Sequence, residues 1–136
     1  MNRTGLRAAL GIIALAGTLA CSRQEEIPPV TLQGTWELVK GGGGFTGYLG
    51  DIPAGTEQLT FAANGTYTRT VRQGTSETNT YRYRQSPGAR PQSLLIMTTT
   101  QTLNRQPLDA EFVIQTLSGT QLELTTGSLV KVYERR

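Results

Sequence analysis

The stretch Gly34-Thr35-Trp36-Glu37-Leu38-Val39-Lys40 decides how the rest of the chain reads. It holds the single tryptophan and is the first strand-like run after a polar segment with no periodic pattern. Outward from it, short runs recur in which apolar and polar residues alternate, and a period of two marks a half-buried strand. Glu57 to Phe61 sets Leu59 and Phe61 on one face. Asn64-Gly65 then signals a hairpin, because both residue types tolerate positive φ. Thr66 to Arg72 places Tyr67, Arg69 and Val71 together, and Thr78 to Gln85 sets Tyr81 and Tyr83 against Arg82 and Arg84. After the turn at Ser86–Pro91 come Ser93 to Thr99, Ala110 to Leu117, Gln121 to Thr125 and Leu129 to Arg135.

The connections are too short for crossover helices, so neighbouring strands must be antiparallel. No segment shows sustained helical periodicity. The expected fold is all-β: an eight-stranded antiparallel up-and-down barrel, which removes exposed edges. A two-sheet β-sandwich is the alternative. Between the first two strands lies Gly41 to Gly55, a glycine-rich segment carrying Phe45, Tyr48, Leu49 and Ile52. It is too apolar for a bare linker and reads as an ordered loop folded over one end of the barrel. It lacks the Lys-Ser/Thr and the following helix that a phosphate-cradling loop needs.

Composition excludes several classes of function. The chain has no histidine, which removes His triads, His metal sites and His pH switches. Its one cysteine, Cys21, allows neither an internal disulfide nor a thiolate cluster. The net charge of +3 is carried largely by Arg3 and Arg7 near the N-terminus. The remaining arginines are scattered, which gives no nucleic-acid surface. The two aspartates, Asp51 and Asp109, are expected in loops, and no base other than Lys or a carboxylate is present, so an enzyme is not expected and no cofactor is called for.

Residues 1–20 have the layout of an export signal: Arg3 and Arg7, an apolar run from Ala8 to Ala16 too short to span a bilayer, and small residues before Cys21. This resembles the lipobox of bacterial lipoproteins, which implies cleavage before an acylated, palmitate-bearing Cys21. Ordinary signal-peptidase cleavage is the alternative. Residues 21–33 read as the lipidated cysteine and a flexible tether, about 40 Å when extended. Residues 34–136 form the barrel domain. The implied location is the cell envelope, with a lipid anchor in the outer membrane, on its periplasmic face or at the cell surface. Ser22 is not the Asp that retains many lipoproteins at the inner membrane, and Arg23-Gln24-Glu25-Glu26 resembles the charged export signals of some surface lipoproteins.

From Gly34 to Arg136 the chain resembles the lipocalin-like domain of small bacterial lipoproteins. The residues that carry the likeness are Gly34-Thr35-Trp36, Leu59-x-Phe61-x-x-Asn64-Gly65-x-Tyr67, Tyr81-x-Tyr83, Leu122-x-Leu124 and the terminal Tyr133-x-Arg135. In that family an arginine near the last strand packs over the first-strand tryptophan. The resemblance implies that Arg135, with Arg136 as a rival, closes the barrel over Trp36 by a cation–π contact, as a structural lock.

The expected inward residues are Trp36, Leu38, Leu59, Phe61, Tyr67, Val71, Tyr81, Tyr83, Phe112, Ile114, Leu122 and Leu124, with Ile96 or Met97 and Val130 or Val132. An eight-stranded barrel is either filled by such side chains or holds one small ligand. Arg69 stands out, because alternation turns it inward among Tyr67, Tyr81 and Tyr83. A buried charge needs a partner. Arg69 either binds an anionic head group, or sits at the mouth and pairs with Glu57, Glu77 or Glu111. Phe45 and Tyr48 either cover the pocket mouth or seal the core. The expected function is therefore a monomeric, lipid-anchored barrel that binds a small apolar or amphipathic, even acidic, molecule through Arg69, Tyr67, Tyr81, Tyr83, Phe45 and Tyr48. The alternative is a filled barrel that acts through its loops as a protein-interaction or inhibitor module.

Overall fold

The structure is a computed structural model and describes residues 29–100 and 105–136. The export signal, Cys21 and most of the tether lie outside the described residues. Among the described residues nine strands follow a short 3-10 turn at Val30–Leu32. They are β1 (Gly34–Gly43), β2 (Leu49–Asp51), β3 (Glu57–Phe61), β4 (Thr66–Val71), β5 (Ser76–Gln85), β6 (Ser93–Thr100), β7 (Pro107–Leu117), β8 (Gln121–Thr126) and β9 (Leu129–Arg135). Each strand from β3 onward pairs antiparallel with the next, and β1 pairs with both β3 and β9. The sheet is thus closed into an eight-stranded barrel, and the sandwich alternative falls away.

The additional strand, β2, comes from the glycine-rich segment. It lies along Lys40, Gly41 and Gly42 of β1, beyond the part of β1 that β3 covers. The glycines are needed there for close approach. A Cβ on Gly43 would lie 1.7 Å from the Ser128 carbonyl oxygen, and its φ of 132° is one that side chains rarely adopt. The run that loosely resembled a phosphate loop is therefore a strand squeezed between two neighbouring backbones. At the β3–β4 hairpin only Gly65 takes positive φ, while Asn64 instead accepts from the Thr66 backbone N–H at 3.1 Å.

The barrel has two unlike ends. The closed end carries the 3-10 turn, the β3–β4, β5–β6 and β7–β8 connections and the C-terminus. The other end carries the β1–β2–β3 segment and the β4–β5 and β8–β9 connections. Val30–Leu32, assigned from sequence to the tether, belongs to the domain: Leu32 is fully buried and joins the core cluster of Trp36, Leu38, Leu59, Phe61, Tyr67, Tyr81, Leu95, Met97, Leu122, Leu124 and Tyr133. Two inward choices left open by the alternation resolve here. Met97 faces in and Ile96 out, flanked in register by Arg82 and Glu111. On β9 neither Val130 nor Val132 joins the interior; Lys131 and Tyr133 point in instead.

Candidate functional site

At the closed end Trp36 is fully buried, and its indole N–H donates to the Leu32 carbonyl at 2.8 Å. The 3-10 turn thus supplies the acceptor that a buried indole requires. Arg135 is opposite Trp36 in the β1–β9 register, with its guanidinium carbon 4.3 Å from the ring centroid. Its Nε donates to the Gly119 carbonyl at 2.7 Å, one Nη to the Gln33 carbonyl at 2.7 Å and the other to the Thr31 carbonyl. The guanidinium ties together β1, the β7–β8 turn and the entering chain. Gly34 has to be glycine for the same reason: its φ is 123°, and a Cβ there would meet the Arg135 Nη1 at 2.6 Å. Arg136, the rival for Arg135's role, instead pairs with the buried carboxylate of Glu37.

Above this plug the interior is packed by rings. Phe61 and Tyr81 meet edge to face at 5.0 Å, and the Tyr81 hydroxyl donates to the Ala62 carbonyl at 2.7 Å. Tyr83 hydrogen-bonds Ser93 and Gln85 near the same end. Tyr81 and Tyr83 were expected at a ligand site. Tyr81 packs in the core near the closed end, Tyr83 is half-buried beside it, and neither lines the cavity.

Toward the other end the interior becomes hollow. A cavity of about 360 Å³ is lined by Glu57 and Leu59 of β3, Tyr67 and Arg69 of β4, and Glu77 of β5. The remaining walls are Met97 and Thr99 of β6, Ala110 and Phe112 of β7, Leu124 of β8, and Lys131 and Tyr133 of β9. Leu59, Met97, Phe112 and Leu124 supply the apolar part of the lining, and Glu57, Arg69, Glu77 and Lys131 the charged part. The volume is at the small end of the range for ligand sites. Tyr67, whose hydroxyl donates to the Thr98 carbonyl at 2.8 Å, forms part of the wall. Burial, with the nearby Glu77 charge, pushes its phenol above the ordinary range.

Glu57 organises the charged part. It is 5 % exposed, and both of its oxygens are occupied. The Tyr133 hydroxyl donates to Oε1 at 2.6 Å, and Lys131 Nζ reaches Oε1 at 3.1 Å. Arg69 donates to Oε2 from Nε at 3.0 Å and from Nη2 at 2.8 Å. Burial alone would raise the Glu57 carboxyl. The Tyr133 hydroxyl, the Lys131 ammonium and the Arg69 guanidinium outweigh it and hold the group below the ordinary carboxylate value. The same pairing holds the Arg69 guanidinium above its ordinary value, outweighing the opposing effect of burial. Burial and the Glu57 charge push the Tyr133 phenol up strongly.

Of the six residues expected to bind a ligand, the structure brings Tyr67 and Arg69 together. Arg69 faces inward as alternation required, and it takes the paired option, with Glu57 as its main partner and Glu77 at 3.8 Å. Phe45 and Tyr48 neither cover the mouth nor seal the core: Phe45 is fully exposed and Tyr48 largely so. Of that segment Ile52 packs against the core. Glu57 was named only as one of three possible partners of Arg69, and Lys131 and Tyr133 were missed as cavity residues. Alternation from Leu59 and Phe61 already turns Glu57 inward, and from Tyr133 it turns Lys131 inward. The usable signal was two opposite charges on the inner faces of β3 and β9, the strands that flank β1 once the barrel closes.

No protein-family model matches the chain, and no curated protein matches it. Among solved structures it is similar to a lipocalin-like protein from Bacteroides uniformis, with a TM-score of 0.53 and 17% identity over 78% of this chain and 99% of that one. It is also similar to an uncharacterized protein from Bacteroides eggerthii, with a TM-score of 0.51 and 11% identity over 76% of this chain and 98% of that one. At such identities the likeness is one of fold: the chain has a lipocalin-like barrel.

Proposed function

We propose that the chain is an exported envelope protein, acylated at Cys21 and held in the outer membrane, whose barrel binds one small apolar or amphipathic molecule without chemical change. The observation that carries the binding reading is the hollow upper half of the barrel, lined by both apolar and charged side chains, above a packed and locked lower half. The chain enters at the closed end, where Leu32 plugs the barrel. Seven residues of tether, at most ~25 Å long, would keep that end toward the membrane and turn the mouth away from it. The binding unit in this reading is a monomer, with no cofactor and no nucleic acid.

A second reading, an interaction or inhibitor module, is favoured by one observation. Phe45, Tyr48 and Leu49 stand exposed beside Leu129 at the mouth, and exposed apolar patches mark contact surfaces. Native mass spectrometry of the protein purified from its own host tests both readings. The expected spectrum shows a mature chain beginning at a triacylated Cys21 and carrying a small molecule. An unacylated chain would overturn the anchor. A bound protein with an empty barrel would replace the first reading by the second.

A further inference from the structure

Among the described residues β2 is the one strand with a neighbour on a single side, so its outer edge stands open near the mouth. On its β1 side the Gly43 N–H donates to the Tyr48 carbonyl at 3.3 Å and the Ile52 N–H to the Val39 carbonyl at 2.8 Å, in the register that sets Gly41 opposite Gly50. Antiparallel ladders alternate bonded and non-bonded pairs, so Gly50 turns its N–H and C=O toward β1. Leu49 and Asp51, both exposed, turn theirs to the open side. Proteins commonly blunt such an edge with Lys, Pro or a bulge. Leu49-Gly50-Asp51 has none of these, and its one charge, Asp51, lies opposite Lys40 of β1.

This edge is its own complement. A second β2 laid antiparallel about Gly50 sets Leu49 of each copy opposite Asp51 of the other, with every outward N–H facing an outward C=O. The two Asp51 charges do not oppose one another. Gly50 meets Gly50 in a non-bonded pair, where Cα atoms approach to about 4.5 Å and no side chain stands between them. The Tyr48 ring already lies against Gly50, since a Cβ there would meet its Cε1 at 3.3 Å, and a ring so placed shields the glycines of a paired edge. Phe45, four positions before Leu49, is fully exposed. Aromatic side chains bury about 150–250 Å² each, so Phe45 and Tyr48 from two copies supply roughly 600–1,000 Å². With Leu49 and the paired backbones added, the contact reaches the ~1,000 Å² that a specific interface must clear.

We propose that two copies of this chain pair through β2, edge to edge about a two-fold axis at Gly50, with Phe45 and Tyr48 packed across the seam. The same patch serves both copies, which closes the assembly at two. A contact of this size is of the transient kind, and anchoring both copies in one membrane raises their effective concentration. Each barrel keeps its own cavity. The pairing rests on the interaction reading of the mouth patch and on no ligand.

Disulfide trapping and sedimentation equilibrium of the full chain, in density-matched detergent, test the pairing. Gly50→Cys brings two thiols face to face at a Cα separation of about 4.5 Å, which a disulfide spans. It is expected to form a covalent dimer at least about tenfold faster than Ala63→Cys, on the exposed closed-end hairpin, because pairing raises the local thiol concentration. Leu49→Pro removes an outward N–H and none that β1 uses. It is expected to weaken the dimer about tenfold with the unfolding midpoint of dilute protein unchanged, and Phe45→Ser is expected to weaken it as well. Dimerisation indifferent to both substitutions, or trapping of Gly50→Cys no faster than Ala63→Cys, overturns the edge pairing. A Gly50→Cys adduct with a different polypeptide of the host overturns the second copy as partner and leaves the interaction reading standing. A chain that stays monomeric over the whole concentration series and yields neither adduct overturns both.

Discussion

The two ends of this barrel handle a cation in opposite ways. At the closed end Arg135 lies on the face of Trp36 and gives its donors to three backbone carbonyls. Those acceptors are neutral and fixed by the chain path, and the guanidinium lies on a ring and not in the cavity. At the open end Arg69 and Lys131 share one buried carboxylate and keep donors that face a cavity. The closed end is a lock, because its cation is bound to a ring and to the backbone. The open end is the proposed site, because its cations line a cavity.

The comparison breaks first at Trp36. Trp36→Ala removes the plug against which Leu32 and Arg135 pack, and is expected to cost about 3–5 kcal/mol, read by urea unfolding. An unchanged midpoint would mean that the closed end locks nothing. Glu57→Gln tests the other end, with an expected loss of about 2 kcal/mol near neutral pH. It also carries a pH signature. The Glu57 carboxyl is held below its ordinary value of 4.5. Its contribution is therefore fully present above that value and is lost as the pH falls through the depressed folded value. Acid unfolding of the wild type should be steep there, and Glu57→Gln should flatten it; parallel curves would show that the carboxylate is not held ionised by its partners.

Gly34→Ala sharpens the account of the lock. The strained φ and the crowding against Arg135 are expected to cost about 1–2 kcal/mol, with open-end binding intact. A neutral result would free Gly34 from Arg135. The smallest effect is expected at Phe45→Ser, within about 0.5 kcal/mol, because the ring touches neither end's network. A large loss would put the β1–β2 segment back over the barrel.

The lock was legible in the sequence and the site was only half legible, for a physical reason. Period-two alternation assigns each residue to a face, which turned Trp36, Tyr67 and Arg69 inward and fixed the strand order. Alternation says nothing of depth, however. Tyr81 and Tyr83 share a face with the cavity but sit at the closed end, where packing has no space for a ligand. Partners across the closure are equally silent. Glu57 and Lys131 are 74 positions apart and meet across the barrel interior. In the glycine segment apolar content suggested a cover. The close backbone approach of β1 to its neighbours instead pushes Phe45 and Tyr48 outward, and Ile52 is the residue that packs. The 3-10 turn at Val30–Leu32 was hidden because three residues carry no periodicity, and it is fixed by the bond from Trp36.

The central claim is that the hollow half of the barrel is a binding site. Ala110 lines it with a small side chain, so Ala110→Trp would fill the space with little strain on the packed half. Titration of decanol into both forms, alongside their thermal unfolding, tests the claim most directly. The account predicts an unfolding midpoint within a few degrees of the wild type and binding weakened at least about tenfold, the loss expected when the contact surface of a small ligand is removed. Equal decanol affinity in a folded Ala110→Trp protein would contradict it.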